Sequence, residues 1–315
     1  MVGSYATGLT MKVDRLPTRG ETLLGTGYRV DFGGKGSNQA IGCARLGADV
    51  TFFAKIGKDA FGEMARNLYR NEGIDISNIH QTPQAATGVG FIIVESSTGH
   101  NCIVLDPGAN ELLGAEDILD IGEDADSSVL LTQLEIPVSA AEAALKRGRQ
   151  AGAITILNPA PVRSLPSSVL QLVDVLTPNE SEAKVLAGRQ PDAHIEPESI
   201  ARELIDKGVR QVVMTLGEQG ALIVGSSSRH INGISVNAVD TTGAGDAFNA
   251  GLAVALASRA NLDDAVRFAV ITGGLAVTKE GVVPALPTHH DVTSFYEGQQ
   301  IAPPEWFAQL PAKGR

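Results

Sequence analysis

The chain reads as an α/β protein, with a mainly parallel central sheet flanked by helices and a small inserted β-sheet lid. Three observations predict this. Short apolar runs rich in β-branched residues alternate with helical stretches, glycines stop those helices on schedule, and two segments break the rhythm with strands alone. The strand-like runs are Val50–Ile56, Val129–Leu134, Ile154–Leu157, Val173–Leu176, Val212–Leu216 and Ala221–Val224. They are continuously apolar rather than alternating, as expected of strands buried on both faces. Helices are predicted at Ser37–Leu46, Gly62–Asn71, Ser139–Gln150, Glu180–Leu186 and Ser199–Lys207. Gly47, Gly73, Gly152, Gly188 and Gly208 follow them, where a left-handed cap conformation is cheapest for glycine.

The exceptions are Met11–Asp31 and Gly88–Asp106, whose strand-like pieces (Tyr28–Asp31, Gly88–Glu95, Asn101–Leu105) have no helix between them. Ser96–Gly99 reads as a hairpin turn. They predict a small β-unit, either a lid or an interface. The tail, Gln300–Arg315, is expected to lie along the surface.

Composition narrows the function. The 315 residues carry 25 Lys+Arg and 36 Asp+Glu, a net charge of −11, with no basic run. This argues against nucleic acid as a partner. No apolar run has the length of a membrane span. Two cysteines, Cys43 and Cys102, make no disulfide framework, so a cytoplasmic setting is expected. The six histidines lack HExxH or CxxC partners and no GxSxG elbow exists, which disfavours transition-metal and acyl-transfer chemistry. Cys43 reads as a small core residue, and acidic Glu123–Asp126 as a solvated turn.

In an open parallel sheet, ligands bind beyond the carboxyl ends of the strands. There stand Glu135, Asn158, Asn179, Thr215 and Gly217. The most informative string is Ala238-Val-Asp-Thr-Thr-Gly-Ala-Gly-Asp-Ala-Phe-Asn-Ala-Gly251. A helix with Phe248, Leu252 and Leu256 on one face is predicted from about Asp246, preceded by Gly243, Ala244 and Gly245. Small residues let backbone N–H groups approach an anion at a helix N-terminus. Asp246 reads either as that helix's cap or as the base that accepts a hydroxyl proton in phosphoryl transfer. A second glycine string, Asp31-Phe-Gly-Gly-Lys-Gly-Ser-Asn-Gln-Ala40, fits neither the P-loop nor the dinucleotide pattern. It reads as a flexible connector, or as a close backbone approach to a polar ligand with Lys35 and Asn38 supplying hydrogen bonds. Asn179 and Glu182, three apart on a first helical turn, suit capping and organisation of Mg²⁺ waters equally well.

Together these strings resemble the ribokinase-like (PfkB-type) family of ATP-dependent sugar kinases, over about Gly3 to Pro287. TGVGF, TQLE, LNPAP, TPNESEA and TLGEQGA stand between them in the family's order. The resemblance implies a single kinase domain over 1–315 and a lid from about 11–31 and 88–106 that pairs two subunits as a homodimer. It implies Asp246 as catalytic base and Gly243, Ala244 and Gly245 as anion hole. Gly34, Lys35, Asn38 and Glu135 would line the sugar site. Asn179, Thr215, Gly217, Gly220 and Gly245 would meet ATP, with Glu182 in the magnesium network. An activating potassium ion would sit among Asp240, Thr242, Ala276, Lys279, Gly281 and Ala285, the last commonly a serine in the family. The implied substrates are ATP and ribose, another pentose or a polyol; a nucleoside kinase and a silent sugar- or nucleotide-binding sensor are the alternatives. One departure stands out: where the family's Gly-Ser-x-Asn-x-Asp grips the sugar hydroxyls, this chain has Gly3-Ser-Tyr-Ala-Thr-Gly8, so Ala6 and Gly8 replace the Asn and the Asp.

Overall fold

The computed structural model describes residues 1–119 and 128–312; the Glu123–Asp126 turn lies outside them. In chain order the strands are β1 (Ala6–Val13), β2 (Thr26–Gly33), β3 (Ala54–Gly57), β4 (Ile79–Thr82), β5 (Val89–Glu95), β6 (Asn101–Asp106), β7 (Val129–Thr132), β8 (Ile154–Leu157), β9 (Val175–Leu176), β10 (Gln211–Thr215), β11 (Gly220–Val224) and β12 (Ser228–Asn232). The helices are α1 (Lys35–Arg45), α2 (Ala60–Asn71), α3 (Val138–Gln150), α4 (Ser167–Leu170), α5 (Glu180–Leu186), α6 (Pro197–Asp206), α7 (Ala244–Ala257), α8 (Leu262–Ala276), α9 (His289–Gly298) and α10 (Glu305–Ala308).

A six-stranded sheet runs β12-β11-β10-β9-β8-β7. Strands β7 to β10 are parallel, and β11 and β12 close the edge as antiparallel neighbours. The apolar runs split between two cores residue by residue. Leu130, Leu157, Leu176, Val212 and Met214 pack on the α3 and α6 side, while Leu131, Ile156, Val175 and Val213 pack on the α7 and α8 side. Full burial of such an apolar side chain contributes about 1.5–3 kcal/mol, which is why both phases of these strands are mainly apolar.

A separate four-stranded sheet has the order β2-β1-β5-β6, and β3 pairs only with β4. The small sheet begins at Ala6, five residues before the predicted boundary, and runs through Gly33. Val2 alone bridges toward both Phe53 and Thr132. Glycine in the ATGLTMKV strand hides its alternation, which explains the late prediction. The Ser96–Gly99 hairpin joins β5 to β6, with Gly99 N donating to Glu95 O at 2.9 Å.

The five stop glycines all have positive φ, from +70° at Gly73 to +116° at Gly208. Two expectations are corrected. Helix α7 begins at Ala244 rather than Asp246, and Gly243 is its N-cap, at φ 82°. It presents no single apolar face, since Asp246 through Leu256 are all buried between α1, α8 and the sheet. Gly251 allows the α8 approach, because a Cβ there would collide with Thr272 Oγ1. The tail lies along the surface for most of its length and is pinned by Phe307 of α10, which is fully buried, 4.9 Å from the Phe268 ring and 4.3 Å from His289. No helix among the described residues is long and apolar enough to cross a membrane.

Candidate active site

Beyond the carboxyl ends of β8 to β10 lies a cavity of about 210 Å³, lined by Lys35, Asn158, Thr177, Asn179, Glu182 and Thr215 on the sheet side. Gly243, Gly245, Asp246 and Asn249 line it from α7. Thus one cavity gathers residues from both glycine strings and from three successive strand ends.

The α7 terminus takes its shape from Gly243. Its left-handed backbone suits glycine, and a Cβ would meet Val282 Cγ1 at 2.8 Å. The next residues start a 14-residue helix whose first-turn N–H groups have no partner within the helix. A Cβ on Gly245 would meet nothing within 4 Å, so this turn presents open backbone to the cavity.

Asp246 is the third residue of α7 and is 5% exposed. Its Oδ2 accepts from Asn38 Nδ2 at 2.8 Å and its Oδ1 from Gln39 Nε2 at 2.9 Å. Burial pushes its carboxyl above the ordinary value, against the pull of Lys35 and of the two amide donors. The capping role is therefore excluded: both oxygens are turned to side chains of α1. A buried carboxylate of raised proton affinity beside unpartnered amides is equipped to take a proton from a hydroxyl while negative charge is held nearby.

Behind Asp246 runs a network that sequence reasoning missed. Gln39, fully buried, also donates to Asn158 Oδ1 at 3.0 Å and accepts from Gln133 Nε2 at 2.6 Å. Asn158 donates to Thr177 O at 3.1 Å, Thr177 Oγ1 to Asn249 Oδ1 at 2.6 Å, and Asn249 to Gly245 O at 2.8 Å. Gln39 sits beside Asn38 in the glycine string, and Asn249 is four residues from Gly245; helical spacing was the only signal for either.

Lys35 opens α1 and lines the cavity. Burial opposes its charge, but Asp246, Glu135 and Glu182 outweigh that and raise its pKa. Glu135 anchors the start of α1. Its Oε2 accepts from Ser4 Oγ at 2.6 Å and from Lys35 N at 2.8 Å, so it satisfies the start of α1, which has no side-chain cap of its own. Gly34 joins β2 to α1 at φ 89°, with Tyr5 Cα only 2.7 Å from where a Cβ would stand.

Asn179 and Glu182 form a reciprocal capping box on α5. Asn179 Oδ1 accepts from Glu182 N and Glu182 Oε2 from Asn179 N, both at 2.8 Å. The second oxygen, Oε1, accepts from none of the described residues. Burial raises the Glu182 pKa, opposed by the Asn179 N–H and by Lys35. That free, cavity-facing oxygen suits water around a magnesium ion. Thr215 closes β10 in the cavity wall, whereas Gly217 is exposed and Gly220 lies buried under the Ile231–Gly233 backbone.

Asp240 ties two loops together. It accepts from Thr242 N and Oγ1 at 2.9 and 2.7 Å, and from Gly281 N at 3.0 Å. Burial pushes its carboxyl up, but these donors outweigh it and hold the pKa below the ordinary value. Ala276 ends α8, and its carbonyl oxygen accepts from Lys279 N at 3.4 Å. Lys279 Nζ turns away to Asp291 at 2.9 Å, and Ala285 is buried in the 3-10 turn Val283–Ala285. The Asp240 carboxylate and the backbone carbonyls of these loops are hard oxygen donors of the kind a monovalent cation takes.

Residues 1–289 match the model of the pfkB family carbohydrate kinases. A ribokinase of Haemophilus influenzae is 39% identical over 300 residues, covering 94% of this chain and 97% of the relative. The crystal structure of a ribokinase from Thermotoga maritima superposes with a TM-score of 0.86 at 34% identity, covering 94% of this chain and 98% of that one. A ribokinase of Arabidopsis thaliana, solved with ribose and ATP, gives 0.85 at 28% identity, covering 93% and 96%. With its cavity beyond a parallel sheet and its buried carboxylate at an open helix terminus, the chain belongs to the pfkB family of carbohydrate kinases, and it is an ATP-dependent sugar kinase.

Proposed function

We propose that the protein moves the γ-phosphoryl group of ATP onto the primary hydroxyl of ribose or another pentose or polyol, with Asp246 as general base. The observation that carries this is the Asp246 carboxylate, buried, raised in proton affinity and set at a helix terminus where the N–H groups of Gly245 and Asp246 have no partner among the described residues. The acceptor hydroxyl lies against Asp246 and loses its proton to it. The amides and Lys35 hold the charge of the transferring phosphoryl, and Asn38 and Gln39 keep the carboxylate aimed. Asn179 and Thr215 meet the nucleotide, with Gly217 and Gly220 shaping the turn that follows β10.

Glu182 Oε1 would orient water around Mg²⁺, which supplies neutralising charge between the phosphates. The loops joined by Asp240, with Ala276, Lys279, Gly281 and Ala285, would hold K⁺ and so steady the turn at Gly243. The four-stranded sheet acts as a lid within a single kinase unit. Its edge strand β6 is exposed along its whole length, with Ile103, Val104 and Leu105 more than half exposed, which supports pairing of two subunits there. The unpaired cysteines fit a cytoplasmic enzyme.

The test is ADP release with Mg·ATP and K⁺ over pentoses, hexoses, polyols and nucleosides. Pentose-dependent turnover that falls about 10²–10⁴-fold in Asp246→Asn is expected. Turnover unchanged in that variant refutes the base, and turnover on nucleosides alone refutes the substrate class.

A further inference from the structure

The ladder register fixes which side chains stand on the same face of the four-stranded sheet, because directly paired residues and alternate residues along a strand share a face. Ala6 pairs with Gly33, Gly8 with Asp31 and Thr10 with Arg29; on the other side of β1, Gly8 stands beside Gly90. This face turns toward the α7 terminus. Arg29 Nη1 lies 3.7 Å from Glu280 Oε1, and the neighbouring Val282 packs against Gly243. From Asp31 the chain runs through Gly33 and Gly34 straight to Lys35 in the cavity wall.

At the cavity end of that face, Ala6, Gly8, Gly33 and Gly90 offer no polar side chain. Asp31 is the first group there that does. Its Oδ2 accepts from Arg29 Nε at 2.6 Å and Thr10 Oγ1 at 3.1 Å, which fixes the carboxylate. Its Oδ1 accepts from none of the described residues, and the side chain is one-third exposed.

We propose that Asp31 is a specificity-determining residue that takes, through Oδ1, the hydroxyl hydrogens of the acceptor sugar at the end away from the hydroxyl being phosphorylated. The proposal rests on the kinase reading above. Gly8 and Asp31 form one cross-strand position: a Cβ on Gly8 would stand 3.5 Å from Asp31 Cβ and 3.3 Å from Ile92 Cδ1, so either strand has room to present a carboxylate there. Arg29 and Thr10 act as positioning residues for Asp31.

The experiment compares wild type, Asp31→Asn, Asp31→Ala and the double variant Asp31→Ala with Gly8→Asp, measuring KM for the acceptor, KM for ATP and kcat. Loss of a charge-assisted hydrogen bond to a hydroxyl predicts an acceptor KM about 10–100-fold higher in Asp31→Ala. ATP KM stays unchanged, Asp31→Asn falls between, and Gly8→Asp recovers part of the loss by returning the carboxylate from the neighbouring strand. An unchanged acceptor KM in Asp31→Ala, or an equal rise in ATP KM, overturns the proposal. If the wild type phosphorylates nothing in the panel, the kinase reading fails by itself. Calorimetric titration of wild type and Asp31→Ala with D-ribose then decides: weaker binding to the variant supports Asp31, and equal binding or none to either overturns it.

Discussion

Replacing Gln39 by leucine keeps the bulk of a fully buried side chain and removes three hydrogen bonds at once. Asn158 Oδ1 and Gln133 Nε2 each lose a partner. An orphaned buried neutral group costs about 1–3 kcal/mol, and the low end applies here. Gln133 still reaches Met1 Sδ, and Asn158 still donates to Thr177 O. Asp246 loses one of its two side-chain donors, a charge-assisted bond of about 1.5–3 kcal/mol. Together the loss is about 3–5 kcal/mol, which a domain stable by about 5–15 kcal/mol survives. The chemical signature is separate from that loss. Gln39 holds the Asp246 pKa down, so its removal lifts a carboxyl that burial has already raised. The acid limb of the pH profile of kcat/KM moves to higher pH, while KM for ATP stays put. The assay is coupled ADP release across pH, beside urea unfolding of both proteins. A lowered unfolding midpoint with an unmoved acid limb would show that Gln39 is only structural and refute the claim that it tunes the base.

Three further outcomes are expected. Because folding raises the Asp246 pKa, the native state binds more protons than the unfolded chain between the ordinary carboxylate value and the raised one, so this group weakens the fold as pH climbs through that window. The stability of Asp246→Asn relative to wild type, followed by urea unfolding, should therefore grow with pH and then level off; a flat difference contradicts the raised pKa. Arg45→Met strands the Glu72 carboxylate, bonded at 2.6 and 3.0 Å, and leaves Val283 O and Leu286 O without their donor. It should cost about 2–4 kcal/mol by the same unfolding assay, and a loss below 1 kcal/mol would show the pair to be solvated. Burial pushes the Cys43 thiol up to about 12, whereas Cys102 is exposed, so a thiol reagent at neutral pH should label one cysteine in the folded protein and both after unfolding. Comparable labelling rates for the two would refute the buried placement.

The parts of the molecule legible in sequence are those where backbone geometry leaves few choices. A run such as VVM must be apolar at every position once sheet faces are covered on both sides, and Gly208 must follow a helix that ends at positive φ. The Gly243–Asp246 turn was legible for the same reason, although its helix boundary shifted by two residues, since Gly243 and not Asp246 caps it. Gln39 was not legible, because a neutral amide on a helix looks like surface until its three partners arrive from β7, β8 and α7. Nor was Phe307: two adjacent aromatic residues between prolines carry no periodicity, and the contacts with Phe268 and His289 reveal the docked tail. The bond from Lys35 N to Glu135 Oε2 was equally hidden, because the two residues stand 100 positions apart in the chain.

The junction at Gly34 has a mechanical meaning. Strand β2 ends at Gly33 and α1 begins at Lys35, so a single residue separates the four-stranded sheet from the helix whose fourth and fifth residues, Asn38 and Gln39, hold Asp246. If that sheet is the proposed lid, lifting it about this pivot would lever the first turn of α1 and carry the two amide donors with it. An open lid would thus leave Asp246 unaimed and more readily protonated, a catalyst switched off until cargo is aboard. Wasteful hydrolysis of the nucleotide would then be restrained by linkage as much as by the exclusion of water.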